Sequence, residues 1–123
     1  MSSVTFRQTL DRPNWVSSRA TDSQHKVSPI NFCCAYMRNH IKDVVLNLPN
    51  TILVSETDNY LHFTVSTYCC KFIDDVEFFI DHDKGITEVQ SASRVGYYDF
   101  GVNRQRIENI RKLLVLPTSL CTK

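Results

Sequence analysis

Carboxylates and arginines are the residues of this sequence whose types and spacing favour a shared chemistry. Asp74 and Asp75 are adjacent within an apolar segment, and Arg94 follows the next apolar segment. An arginine carries a planar fork of N–H donors that matches the two oxygens of a carboxylate. These residues predict either an ion-pair network that secures a sheet to the loop after it, or a site in which Arg94 binds an anionic ligand or a partner's carboxylate.

Alternation along residues 72–81 predicts a strand with one mainly apolar face, which carries Asp74, while Asp75 belongs to the other face. An isolated buried carboxylate is strongly unfavourable, so Asp74 needs a partner. The following strand offers candidates for this partner.

Two registers between these strands remain open. A four-residue connecting loop places Asp74 opposite Ser93, whereas a three-residue loop places it opposite Arg94. The four-residue loop also places Val89 opposite Phe78, and this apolar pairing favours it.

Residues 91–108, at a predicted junction between a strand and a helix, are rich in small and charged residues and include glycines. Asp99 lies just ahead of the predicted helix and can cap its free amide groups. We expect capping and no phosphate cradle, because Asp99 already brings negative charge to the helix start. On the functional interpretation, Asn103 and Arg104 assist Arg94 in binding an anion.

Recognised catalytic and metal-binding patterns are missing from the sequence. The four histidines and the serines show no elbow or triad spacing, and His62 is a weak candidate for a general base. No Cys and His quartet has zinc-like spacing, and the glycines are too few for a phosphate or dinucleotide loop. We therefore predict no catalytic residue, no metal site and no cofactor.

Hydrophobic spacing predicts two helices and four strands. The helices are residues 32–48 and 102–114, and the strands are residues 51–56, 60–65, 72–81 and 86–93. Their order is typical of an α+β fold in which two helices cover one face of a four-stranded twisted antiparallel sheet.

Residues 1–28 lack periodicity, so we expect an extended N-terminal arm anchored by Trp15. The single α+β domain then covers residues 29–116, and residues 117–123 form a C-terminal tail.

The chain length and the counts of charged residues restrict the class of protein. A chain of 123 residues has room for one domain, and 14 Lys plus Arg against 13 Asp plus Glu gives no electrostatic support for nucleic-acid binding. No apolar run approaches the roughly 18 residues that a membrane helix requires. We therefore expect a soluble protein without a transmembrane segment, and residues 1–12 show no secretory signal.

The five cysteines form two adjacent pairs, Cys33 with Cys34 and Cys69 with Cys70, plus Cys121. This spacing is typical of buried, reduced thiols. It indicates a cytoplasmic or other reducing compartment.

Three blocks of the sequence resemble domain-of-unknown-function family 1499. The blocks are PNWVSS (13–18), FIDDVEF (72–78), and SASR (91–94) followed by GVNRQRIE (101–108). The chain departs from the family at Trp15, where relatives commonly carry Cys. The resemblance implies a compact module without a recognised cofactor, in an organelle or at the periphery of a membrane, and it supplies no catalytic residues.

These observations favour a non-enzymatic binding module or accessory subunit of a larger, membrane-associated protein assembly. The residues that contact the protein partner, or hold the surface that does, are Asp74, Arg94, Asp99, Asn103 and Arg104. The alternative is a small hydrolase or ligand-binding enzyme that uses Asp74 or Asp75 with Arg94 in a cleft. A pocket that holds these groups together would favour the enzyme, and paired carboxylates on a filled surface would favour the module.

Overall fold

The computed structural model describes residues 6–7, 9, 11–31, 36–67 and 72–115. The described elements are β1 (Trp15–Ser17), α1 (Met37–Leu46), β2 (Thr51–Glu56), β3 (Tyr60–Thr67), β4 (Phe72–Asp81), β5 (Ile86–Ser93) and α2 (Val102–Leu113). The strands form one antiparallel sheet in the order β1-β5-β4-β3-β2. The α+β fold with two helices and an antiparallel sheet is therefore confirmed.

The prediction of four strands is wrong, because the expected extended arm contributes a fifth strand. Trp15 pairs with Ala92 and Ser17 pairs with Gln90, so β1 covers the outer edge of β5. Unpaired N–H and C=O groups at a sheet edge need partners, and the arm supplies them. Three residues are too few to show a strand period in the sequence.

The remaining boundaries lie close to those predicted. Residues 32–35, with which the predicted first helix begins, lie outside the described residues, and α1 ends at Leu46 ahead of Pro49. Helix α2 begins at the predicted residue. All five cysteines lie outside the described residues, so their reduced state stays a prediction.

One hydrophobic core joins both helices to one face of the sheet. It contains Ile41 and Val45 from α1, Ile107 and Ile110 from α2, and Phe63 from β3, all buried. Among the described residues, no helix has the length and apolar character needed to cross a membrane.

The register between β4 and β5 is the one with a four-residue loop. Asp74 pairs with Ser93, Phe78 pairs with Val89, and the alternative pairing of Asp74 with Arg94 is wrong. Asp74 consequently shares the core face, and Asp75 lies on the opposite face.

The face without helices is also covered. Phe6 is buried, the backbone N–H of Arg7 donates to Glu77, and Gln90 donates to the carbonyl of Arg7. The guanidinium of Arg19 lies over the rings of both Phe6 and Phe79. Residues ahead of β1 thus exclude solvent from polar groups in the centre of this face.

Candidate functional site

A buried ion pair connects the core face of the sheet to α2. Arg106 Nη2 lies 2.8 Å from Asp74 Oδ2, and the two side chains are 10% and 4% exposed. Arg106 Nη1 also donates to Ser91 Oγ at 3.1 Å. Each charge is therefore compensated where neither could remain alone without a large desolvation penalty.

Asn103, fully buried in the first turn of α2, is the centre of this cluster. Its Oδ1 accepts from Ser91 Oγ at 2.6 Å and from Arg106 Nη1 at 2.8 Å. Its Nδ2 donates to Asn14 O, to Ser93 Oγ and to Asp99 Oδ2 at 2.8–3.0 Å. One amide thus joins β5, α2 and the segment before β1.

Asp99 holds the start of α2, as predicted. Its Oδ1 accepts from Gly101 N at 2.9 Å and its Oδ2 accepts from Asn103 N at 3.0 Å. Phe100 and Gly101 both have positive φ, of 53° and 80°, so the chain turns sharply into the helix. The carboxylate satisfies amide groups that the helix itself cannot pair.

A second polar cluster on the opposite face centres on Asp75. Arg94 donates to both of its oxygens, from Nε at 2.9 Å and from Nη2 at 3.0 Å. His62 Nε2 lies 2.7 Å from Oδ1 and is the donor, since a carboxylate only accepts. Burial favours a raised pKa for Asp75, but the hydrogen bonds from Arg94 and His62 outweigh it and hold this pKa below its usual value.

Glu77 lies beside this cluster on the same face. It accepts from the Tyr60 hydroxyl at 2.5 Å and from Arg7 N at 3.1 Å. Burial, together with the hydrogen bond to Glu77, raises the pKa of Tyr60. The tyrosine is therefore held as a neutral donor.

The predicted site residues separate into three places. Asp74, Asp99 and Asn103 lie together on the core side, whereas Arg94 pairs with Asp75 across the sheet. Arg104 donates to the carbonyl groups of Lys26 and Gln24, at 2.9 and 2.7 Å, and so holds the segment after β1.

Sequence reasoning missed Arg106 as the partner of Asp74 and His62 as a partner of Asp75. Arg106 lies three residues after Asn103, and this spacing places both on one helix face. His62 alternates with Leu61 and Phe63, which assigns it to the face that also carries Asp75. Both signals identify a face, but neither identifies the residue met there.

Two pockets open beside these clusters. One of about 370 Å³ is lined mainly by apolar side chains, with Asp74 and Asp99 among its polar groups. The other, of about 210 Å³, is lined by Asp75, Arg94 and two further arginines. A larger cavity of about 470 Å³ lies between α2, the segment after α1 and the end of β3, and includes none of the predicted site residues. Within the described ranges, no group of three or more His, Cys, Asp or Glu is arranged to hold a metal ion.

Comparison with known proteins agrees with the three sequence blocks. The family model for DUF1499, described as a protein of unknown function, matches residues 5–114 of the 123-residue chain. No curated protein and no solved structure shows significant similarity to the chain. The match includes every described element from β1 to α2, and the chain therefore belongs to the DUF1499 family.

Proposed function

We propose that this protein is a non-enzymatic binding module that contacts a protein partner through the loop between β5 and α2. The observation that carries the proposal is a group of exposed apolar side chains around the 370 Å³ pocket. This aromatic surface consists of Phe72, Val95, Tyr98 and Phe100, which line the pocket, and of Tyr97, which contacts Tyr98.

The exposed side chains of the aromatic surface contact one another and are not isolated on the surface. Phe100 is 93% exposed and Tyr98 is 64% exposed, and their ring centroids lie 6.1 Å apart. Tyr97 contacts Tyr98 edge to face, with centroids 4.7 Å apart. Contiguous exposed apolar groups are typical of interaction sites, and aromatic residues contribute much of the binding energy at protein interfaces.

The loop that carries these rings is tied at both ends by hydrogen bonds to other segments. Asn14 Nδ2 and Arg12 Nη1 both donate to the carbonyl of Gly96, at 2.7 and 3.2 Å. Asp99 and Asn103 fix its far end at the start of α2. A preorganised loop loses little conformational entropy on binding, which supports an interface and not a disordered segment.

In this proposal, three of the predicted residues hold the contacting surface and do not touch the partner. Asp99 and Asn103 fix the loop, and Asp74 lies deep in the pocket beside it, paired with Arg106. The partner supplies an apolar side chain that enters the pocket between Tyr98 and Phe72. A polar group of the partner then meets Ser93 at the rim of the pocket.

We propose a reducing compartment for this encounter, on the basis of the cysteine pattern, and a partner near a membrane, as the family resemblance implies. The test is affinity recovery of the tagged full chain from its native host in mild detergent, with a photo-crosslinking residue at position 98. Mass spectrometry identifies the protein crosslinked to that position.

The decisive comparison uses Phe100→Ser combined with Tyr98→Ser, in a tagged chain without the crosslinker. A matched control, Ile52→Ser with Val54→Ser, removes two exposed apolar side chains of β2 at the far edge of the sheet. We expect the crosslinked protein to be recovered with wild type and control and lost with the loop variant. Equal recovery with both variants would refute the proposal.

The hydrolase alternative is less well supported. Asp74 and Asp75 lie on opposite faces, so one cleft does not hold both, and each already pairs with its own arginine. The lowered pKa of Asp75 also makes it a weak general base at neutral pH. Asp75 and Arg94 do line a pocket, so hydrolysis of a generic ester that disappears in Asp75→Asn would favour the enzyme.

A further inference from the structure

The structure assigns an oxyanion-binding site to the 210 Å³ pocket between the segment before β1 and the end of β5. This arginine pocket is lined by Arg7, Thr9, Arg12, Asp75 and Arg94, among others. The ligand group is a carboxylate or a phosphate. The site goes beyond the proposed function, because it requires no protein partner and does not use the aromatic surface.

Each arginine keeps hydrogen-bond donors that its own contacts do not use. Arg94 donates to Asp75 through Nε and Nη2, and its side chain is 44% exposed. Arg12 donates through Nη1 to Gly96 O, and the closest ionic contact of Arg7 is its Nε at 3.6 Å from Asp75. Within the described part of the chain, Arg94 Nη1 and Arg12 Nη2 have no acceptor.

The charge of the pocket is unbalanced. Three arginines and one carboxylate line it, although the whole chain carries a formal net charge of only +1. A concentration of positive charge in a concave site attracts small anions more strongly than the net charge would suggest. Positive charge is therefore left over for an anion while Arg94 keeps its pair with Asp75.

Asp75 orients the Arg94 guanidinium and leaves part of its donors open to the pocket. Its two oxygens accept from one edge of the Arg94 guanidinium and orient that plane at the pocket wall. His62 fixes the same carboxylate from the buried side. Planar guanidinium groups held in place are suited to the oxygens of carboxylates and phosphates, because little side-chain entropy is lost on binding.

The test is an NMR titration of the full chain with inorganic phosphate and, separately, with acetate, at constant ionic strength in sodium chloride. We expect saturable shifts of the Arg94 Nε–H signal and of the backbone amides of residues 93–96. The anion that binds more tightly identifies whether phosphate or carboxylate is the natural chemistry.

Variants distinguish a site from general charge attraction. Arg12→Gln should weaken binding about tenfold, as expected for loss of a charge-assisted hydrogen bond. Arg38→Gln, which removes the same charge from α1, should leave the affinity unchanged. Arg7→Gln, which leaves the hydrogen bond from Arg12 to Gly96 O in place, replaces Arg12→Gln if the latter perturbs the fold or the loop after β5.

Shifts that rise linearly with both anions, or equal weakening by Arg12→Gln and Arg38→Gln, would overturn the assignment. Neither result would bear on the aromatic surface, whose variants leave all three arginines in place.

Discussion

Asp74 and Asp75 are consecutive residues of β4, yet their carboxylates are bound on opposite faces of the sheet by different arginines. Arg106 of α2 pairs with Asp74 in the core, and Arg94 after β5 pairs with Asp75 beneath the N-terminal segment. The separation follows from the two-residue period of a strand. The side chain of Arg106 is 10% exposed and that of Arg94 is 44% exposed, so we predict that the two ion pairs differ strongly in their contribution to stability.

Arg106→Met should destabilise the protein far more than Arg94→Met. The first change leaves Asp74 buried without a compensating charge, which lowers the free energy of unfolding by about 3–5 kcal/mol. The second should lower it by about 1 kcal/mol, because Arg94 is partly exposed to solvent and Asp75 keeps its hydrogen bond from His62. Urea unfolding measures both values.

A double variant separates loss of the charge pair from loss of packing. Adding Asp74→Asn to Arg106→Met should recover part of the lost stability, since the uncompensated charge is removed. Equal costs for Arg106→Met and Arg94→Met would contradict the difference in burial on which this prediction depends.

Asn103→Asp should destabilise the protein although it changes the side-chain volume very little. An oxygen would replace the Nδ2 donor that three acceptors share, and it would face the carboxylate of Asp99 at close range. We expect a loss of about 3 kcal/mol from the unfolding free energy. Asn109→Asp, on the exposed side of α2, is the matched control and should stay within about 0.5 kcal/mol of wild type.

Stability should fall at acid pH partly through Asp75. Its pKa in the folded protein lies below the ordinary value of 3.8, so its stabilising contribution is complete above that value. The contribution is then lost as the pH falls through the folded-state pKa.

Asp75→Asn isolates this contribution. The stability difference between wild type and Asp75→Asn should be constant near neutral pH and should decrease below about pH 4. Urea unfolding of both proteins over a pH series measures it. A difference that did not decrease in acid would show that Asp75 does not titrate with a lowered pKa.

Arginines of α2 should hold the segment that follows β1. Arg104 donates to two carbonyl groups of this segment, and Arg111 donates to those of Ser28 and Pro29 at 2.6 and 2.8 Å. Replacing both by Ala should speed hydrogen exchange of the Val27 amide about fivefold or more. Arg38→Ala, remote from this segment, should leave that exchange unchanged, and unchanged exchange in the double variant would reject the role.

Local patterns were sufficient to predict much of the fold. Strand alternation and the apolar pairing of Val89 with Phe78 favoured the register that places Asp74 opposite Ser93, and Asp99 accepts from an amide at the start of α2, as expected. Both features depend on contacts between residues near in sequence or on a period that repeats along one strand.

The candidate site could be predicted only in part. Sequence spacing indicated that Asp74 needs a partner, but Arg106 reaches it only because α2 crosses that part of the core face. Alternation likewise assigned Asp75 to the other face, but only the pairing of β3 with β4 brings His62 to it. A pattern assigns a residue to a face, whereas packing decides which residue it meets there.

By itself, the sequence determined the strands from β2 to β5, the start of α2 and the opposite orientation of Asp74 and Asp75. Only the tertiary structure decided that Trp15–Ser17 forms an edge strand, that Arg7 N donates to Glu77 and that Arg94 pairs with Asp75. The features that the sequence determined follow from backbone periodicity, which a few neighbouring residues are enough to show. The features that the tertiary structure decided depend on contacts between distant segments, where the pairing is set by how the whole chain excludes water and leaves no buried charge alone.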